Sequence, residues 1–246
     1  MTAVVIIPAR YAATRLPGKP LLAETGKPLI QHVVEAIRPA NRIQRIVVAT
    51  DDQRIAEAVA TFGGQAIMTR ADHPCGTDRI REAAVALGLA DETIVVNVQG
   101  DEPEMPAQLV DKLVELLERS DVPMATLATP LPADQAGDPN KVKVVLDGYG
   151  RAMYFSRARI PFDRDPTGQV RYLLHLGIYA YRVGFLKTFA ALPPTPAEQA
   201  EKLEQLRALE HGHAIVVAVV DYHGRGIDTP ADYAAFAARV RSGKAS

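Results

Sequence analysis

The sequence predicts an α/β protein built on a mostly parallel central sheet, with helices on both faces and a mixed or antiparallel addition in its second half. Three observations carry this. Short, nearly continuous apolar runs alternate with amphipathic helical patterns through the first half, the signature of βαβ units whose strands are covered on both sides. In the second half, strand-like runs follow one another with few helices between them, which favours antiparallel pairing. A hydrophobic content of 48% over 246 residues is enough to fill a sizeable core.

Taken in order, the run Ala3–Ile7 reads as the first strand and Leu29–Ile37 as a helix with apolar positions three and four apart. The strand Ile46–Ala49, the helix Arg54–Phe62 and the strand Gln65–Met68 repeat the unit. Gly76–Leu87 reads as a helix with Thr77 near its start, Thr93–Val98 as a strand and Pro106–Glu118 as a helix. Met124–Thr129, Val142–Leu146, Ala152–Ser156 and His175–Tyr181 then read as strands, and Glu198–Leu209 and Ala231–Val240 as helices. Two proline-rich loops, Pro130–Pro139 and Leu192–Pro196, interrupt this half, but no low-complexity linker or repeat divides the chain, so one domain over residues 1–246 is expected.

Bulk properties narrow the function. The 28 basic and 29 acidic side chains nearly cancel, which gives no footprint for a nucleic-acid partner. The single cysteine, Cys75, excludes an intrachain disulfide and a CxxC motif and fits a reducing compartment, so a cytoplasmic location is expected. The first strand begins by residue 3 without a basic leader, and the apolar runs fall short of the ~20 residues a membrane helix needs, so neither secretion nor membrane insertion is expected.

In a parallel α/β sheet, ligands bind beyond the carboxyl ends of the strands. Three stretches reach that edge. "IIPARYAATRLPGKPLL" (Ile6–Leu22) leaves the first strand with Arg10, Arg15 and Lys19 separated by small residues and prolines. Close backbone approach, forked guanidinium contacts and a compact ammonium suit a phosphate chain, although neither GxxxxGKS/T nor GxGxxG is present; the competing reading is a solvated basic loop. "VVNVQGDEP" (Val95–Pro103) delivers Gln99, Gly100, Asp101 and Glu102, where a carboxylate can hold a divalent ion against phosphate oxygens or merely shape a turn. "GIDTPADY" (Gly226–Tyr233) sets Asp228 just before a helix start, where Asp and Thr also serve as ordinary caps.

Together and in this order, these stretches resemble the 3-deoxy-manno-octulosonate cytidylyltransferases, or CMP-Kdo synthetases. "IPARYAATRLPGKPL" is similar to that family's nucleotide-binding signature, "TRADHPCGTDR" (Thr69–Arg79) to its base-recognition segment and "VNVQGDEP" to its metal-binding segment. "NKVKVVLD", "YFSRARIP", "HLGIYAYR", "LEQLR" and "GIDTP" extend the resemblance over essentially the whole chain. It implies a Rossmann-like nucleotidyltransferase fold, usually dimeric. Residues 1–129 would mainly bind nucleotide, and 130–246 would mainly bind sugar and dimerise.

The activity implied is the joining of CTP to the acidic sugar Kdo, with release of pyrophosphate, for lipopolysaccharide assembly. Ala9, Arg10, Arg15 and Lys19 would contact the triphosphate, and Arg70, Asp72, Cys75, Gly76 and Thr77 would surround cytosine and ribose. Asp101 and Asp228 would hold Mg²⁺, while Gln99, Arg157, His175, Tyr179, Glu204 and Gln205 would face the sugar acid. Arg15, Lys19, Asp101 and Asp228 would carry the catalysis.

Two departures stand out: many members carry serine where this chain has Cys75 and glutamate where it has Asp78. A thiol is the weaker hydrogen-bond partner, which leaves open whether Cys75 meets the nucleotide by side chain or backbone. His175 and Tyr179 share a strand face, whereas the helical pattern around Glu204 and Gln205 reads by default as a solvated face. His211, His213 and His223 lack a compact ligand spacing and are not read as a metal site. The strand His175–Tyr181 and the proline-flanked second half are the expected dimer contact. A cytidylyltransferase for another acid sugar and a non-catalytic nucleotide-binding protein are the competing functions.

Overall fold

The computed structural model describes residues 3–12, 16–73, 75–165, 168–224 and 226–243. Its elements in chain order are β1 (Ala3–Ala9), α1 (Leu29–Ile37), β2 (Ile43–Thr50), α2 (Gln53–Thr61), β3 (Gln65–Met68), α3 (Gly76–Ala86), β4 (Ile94–Asn97) and α4 (Ala107–Glu118). There follow β5 (Met124–Leu131), β6 (Lys143–Leu146), β7 (Ala152–Ser156), β8 (Tyr172–Arg182), α5 (Val183–Ala191), α6 (Pro196–Glu201), α7 (Gln205–Glu210), β9 (Ile215–Val219) and α8 (Pro230–Arg241).

Seven strands run β3-β2-β1-β4-β8-β5-β9, and the β6–β7 hairpin branches from β8. Neighbours are parallel from β3 to β4, β8 runs antiparallel between β4 and β5, and β9 returns parallel to β5. This is the mostly parallel sheet with an antiparallel insertion that the spacing of apolar runs predicts. Strand alternation sorts the core into two layers. Val5 and Ile7 of β1 pack with the apolar faces of α1, α2 and α4, while Val4 and Ile6 pack with those of α3, α5 and α7. Burial of β1 on both faces is why its sequence is continuously apolar instead of alternating.

The second half departs from expectation at three places. Val183–Ala191 forms a helix directly after β8, and Ile215–Val219 adds strand β9, neither of which was read from the sequence. The helix expected over Glu198–Leu209 is broken into α6 and α7 at Lys202, whose φ of 54° is left-handed. β8 also bulges. Thr126 of β5 pairs with Tyr179 while the next residue, Leu127, pairs with Leu176, so Gly177 and Ile178 are extra. The Thr126 hydroxyl bonds the Ile178 and Leu176 carbonyls at 2.7 and 3.1 Å and lies 3.0 Å from His175 Nε2, which ties the bulge together.

With β4 and β5 on its two sides, the His175–Tyr181 strand is interior and is not an edge that a second chain could extend. The large exposed hydrophobic side chains of this half are instead Tyr149, Met153, Tyr154, Phe162 and Val219, around the β6–β7 hairpin and at the end of β9. Among the described residues no helix is long and apolar enough to cross a membrane.

Candidate active site

The loop after β1 folds back on itself. The Gly18 amide donates to the Tyr11 carbonyl at 2.9 Å, and Gly18 itself adopts φ 69°, a conformation that glycine takes without strain. This return sets Lys19 at the start of a single 3₁₀ turn, Lys19–Leu21. Beside it, the loop leaving β4 passes close under β1. A Cβ on Gly100 would lie 3.0 Å from the Pro8 carbonyl oxygen, so glycine is what lets the two strand exits approach.

The "GIDTP" segment is stitched to this loop through its backbone, with the Ile227 amide donating to the Asp101 carbonyl at 2.9 Å. The result is convergence of three distant residues. Lys19 Nζ sits 2.6 Å from Asp101 Oδ2 and 3.8 Å from Asp228 Oδ1, and donates to the Ile227 carbonyl at 2.8 Å. The capping role falls to Asp228's neighbours. Thr229 and Asp232 form a reciprocal capping box at the start of α8, which leaves the Asp228 carboxylate to face Lys19.

Asp101 and Asp228 already share one cation's charge, and carboxylate oxygens are the donors Mg²⁺ takes, so the pair fits that ion in donor chemistry; among the described residues no third His, Cys, Asp or Glu joins them in a metal-holding cluster. Next to it, burial and then the Asp101 charge push the Glu102 carboxyl up to about 7, and the Tyr222 hydroxyl donates to it at 3.3 Å. Arg10, at the end of β1 beyond buried Ala9, has a buried Nη2 without a hydrogen-bond partner, as an absent anion would leave it. Arg15 lies outside the described residues.

Two adjoining cavities open beside these residues. The first, about 280 Å³, is lined by Gly76, Thr77, Gln99, Tyr179, Glu204 and Gln205, with Asn97 and Tyr181 at its base. The second, about 260 Å³, takes in Glu102, His175 and Asp228, and Gln99 and Gly177 line both. Gln205 is only 4% exposed, and its Nε2 has no partner, so the default solvated face is not what the fold makes of it. The break at Lys202 turns Glu204 and Gln205 inward. His175 and Tyr179 share a strand face as expected, and the bulge between them brings their rings into contact, with centroids 5.3 Å apart. Burial lowers the His175 imidazole to about 3 and keeps it neutral.

Other expected residues stand apart from these cavities. Arg157 lines neither; its guanidinium donates to the Glu201 and Pro139 carbonyls. Arg70 and Asp72 form an exposed bidentate pair with each other. Cys75 donates its thiol to Asp78 at 3.2 Å, and burial, reinforced by Glu204, pushes it up to about 12, which makes it neither nucleophile nor ready ligand. Sequence reasoning missed Asn97 and Tyr181, whose hydrophobic neighbours made them look like ordinary strand residues, and Arg79. Arg79 is fully buried and binds the Thr69 hydroxyl and Asp51, fixing the segment that carries Arg70 to Thr77.

The cytidylyltransferase family model matches residues 4–215. The 3-deoxy-manno-octulosonate cytidylyltransferase of Syntrophobacter fumaroxidans is 55% identical over 235 residues, 94% of each chain. Among solved structures, a CMP:2-keto-3-deoxy-manno-octonic acid synthetase complexed with CTP superposes with a TM-score of 0.94 at 44% identity, covering 99% of this chain and 100% of that one. A cytidylyltransferase from Leptospira borgpetersenii shares the fold at a TM-score of 0.65 and 17% identity, covering 98% of this chain and 87% of that one. The chain belongs to the cytidylyltransferase family, among the 3-deoxy-manno-octulosonate cytidylyltransferases.

Proposed function

We propose that this chain activates Kdo for lipopolysaccharide biosynthesis: the anomeric hydroxyl of the sugar attacks the α-phosphorus of CTP, giving CMP-Kdo and pyrophosphate. The observation that carries the reading is the meeting of Lys19, Asp101 and Asp228 beside a cavity whose walls hold Gln99, Glu204 and the unpartnered Gln205 amide. Arg10 and Lys19, with Arg15, grip the triphosphate, and Lys19 exchanges its carboxylate partners for the oxygens of the departing pyrophosphate. Asp101 and Asp228 would hold Mg²⁺, which would supply charge neutralisation on the phosphates and ease ionisation of the sugar hydroxyl.

Gln99, Tyr179, Glu204 and Gln205 orient the sugar, and His175, held neutral, presents a hydrogen-bonding ring without a competing charge. Holding the hydroxyl in line with the scissile bond contributes up to ~7–11 kcal/mol. Ala9 lies against the triphosphate by backbone, and Arg70, Asp72, Cys75, Gly76 and Thr77 border the nucleotide, with Cys75 and Thr77 acting through their main chain because their side chains are engaged by Asp78 and Glu204. Arg157 reaches the sugar carboxylate after releasing the Pro139 and Glu201 carbonyls.

The single chain divides its work, with residues 1–129 mainly binding nucleotide and 130–246 mainly serving the sugar and a homodimer contact supported by exposed Met153, Tyr154 and Phe162. A cytoplasmic location accords with a free, protonated Cys75. Pyrophosphate release from CTP and Mg²⁺ tests the function. Release is expected with Kdo and not with sialic acid or without sugar. Release with sialic acid alone would replace the sugar assignment, and no release with any sugar acid would leave only a nucleotide-binding protein.

A further inference from the structure

Thr77 lies in the segment whose resemblance assigns it to cytosine and ribose, yet its hydroxyl is engaged elsewhere. Thr77 Oγ1 donates to Glu204 Oε2 at 2.8 Å, joining the first turn of α3 to the residue that precedes α7. A threonine hydroxyl has one proton to donate, so this bond leaves none for a ribose oxygen. Thr77 is 6% exposed, and the buried Tyr181 ring lines the same cavity as Thr77 and Asn97. Asn97 Oδ1 in turn accepts from Gln99 Nε2 at 3.4 Å. All six of Thr77, Asn97, Gln99, Tyr181, Glu204 and Gln205 line the first cavity.

We propose that Thr77 is a positioning residue of the sugar pocket, its hydroxyl fixing the Glu204 carboxylate that meets the acid sugar. This rests on the reading of the first cavity as the Kdo site. Glu204 needs such a partner, because it follows the left-handed Lys202 and its own side chain makes no capping bond to α7. A β-branched residue in a helix has few χ1 choices, so α3 sets the direction of the donor. Without it the carboxylate samples several rotamers and must be ordered when the sugar binds. The helix that borders the nucleotide is thereby joined to the pocket for the second substrate.

Steady-state kinetics of Thr77→Val, Thr77→Ser and the parent, with thermal melts of each, test this. Thr77→Val is expected to raise KM for Kdo about tenfold, the loss carried by a hydrogen bond to a charged group, with KM for CTP changed less than twofold. Thr77→Ser is expected to restore both. In a double-mutant cycle with Glu204→Gln, the two losses are expected to fall short of additive. If Thr77→Val does not fold, Thr77→Ala carries the same readout. A rise in KM confined to CTP, a rise shared equally by both substrates, or no change in either overturns the proposal. Failure of the parent to use Kdo at all would instead strike the functional reading beneath it.

Discussion

Replacing Lys19 by methionine keeps the aliphatic stem and removes the charge that Asp101 and Asp228 share. At an effective dielectric of about 20, the 2.6 Å contact is worth about 6 kcal/mol of gross Coulomb energy and the 3.8 Å contact about 4. Desolvation of the ammonium offsets much of the first, and half-exposed Asp228 is screened by water from most of the second. Lys19 and Asp101 are 14% and 28% exposed, between surface pairs worth about 0–1 kcal/mol and buried ones whose rupture costs about 3–5. Loss of about 2 kcal/mol is therefore expected in chelator. For a chain of this size that is a fall in Tm of roughly 4–8 °C. Millimolar Mg²⁺ is expected to recover part of the fall, since it binds the folded carboxylate pair and not the unfolded chain. Turnover is expected to drop about 10²- to 10³-fold, the cost of one preorganised charge-stabilising donor. A Lys19→Met protein that melts with the parent in chelator, or whose deficit Mg²⁺ does not relieve, refutes the shared-cation account.

The neighbouring cap and carboxylate should separate by mutation: Thr229→Ala is expected to cost about 1 kcal/mol of stability with Mg²⁺ binding intact, whereas Asp228→Asn should weaken Mg²⁺ binding in calorimetry with little loss of stability. The His175 imidazole, lowered from its ordinary value to about 3, stays neutral in the fold while the unfolded chain takes up a proton below pH 6.5. Its contribution is complete above pH 6.5 and is lost as pH falls toward 3, by at most ~1.4 kcal/mol per pH unit. Denaturant titrations should show that His175→Phe flattens the decline between pH 6.5 and 4. Glu198 and Arg207 form a buried forked pair at the break between α6 and α7, with Nε and Nη2 at 2.8 and 2.5 Å from the carboxylate. Arg207→Met strands the carboxylate and is expected to cost about 3–5 kcal/mol in urea unfolding, whereas Glu198→Met with Arg207→Met should recover much of it.

What could be read from the chain follows from which interactions are local. In the first half, β1 and β4 are apolar runs buried on both faces, and the helices carry apolar stripes, so β1 through α4 fall within a few residues of their expected bounds. Val183–Ala191 was invisible because an apolar helix following an apolar strand without an intervening loop presents no change of period. The break at Lys202 carries neither glycine nor proline, and its cause is tertiary: the Glu198–Arg207 pair and the buried faces of Leu203 and Leu206 hold the two short helices in place. At the site, the carboxylates and cations were legible as residue types at strand ends. Their partners were not, because Lys19 meets Asp228 and Thr77 meets Glu204 only through the fold. Pattern alone therefore reached the chemistry and missed the arrangement.

The most direct test of the proposed reaction follows a single oxygen. Kdo labelled with ¹⁸O at its anomeric hydroxyl, incubated with CTP, Mg²⁺ and the protein, is expected to give CMP-Kdo whose phosphorus resonance carries the isotope shift of a labelled bridging oxygen, beside unlabelled pyrophosphate. Label appearing in pyrophosphate, or CMP formed without a bond to the labelled oxygen, would contradict attack of the sugar hydroxyl on the α-phosphorus.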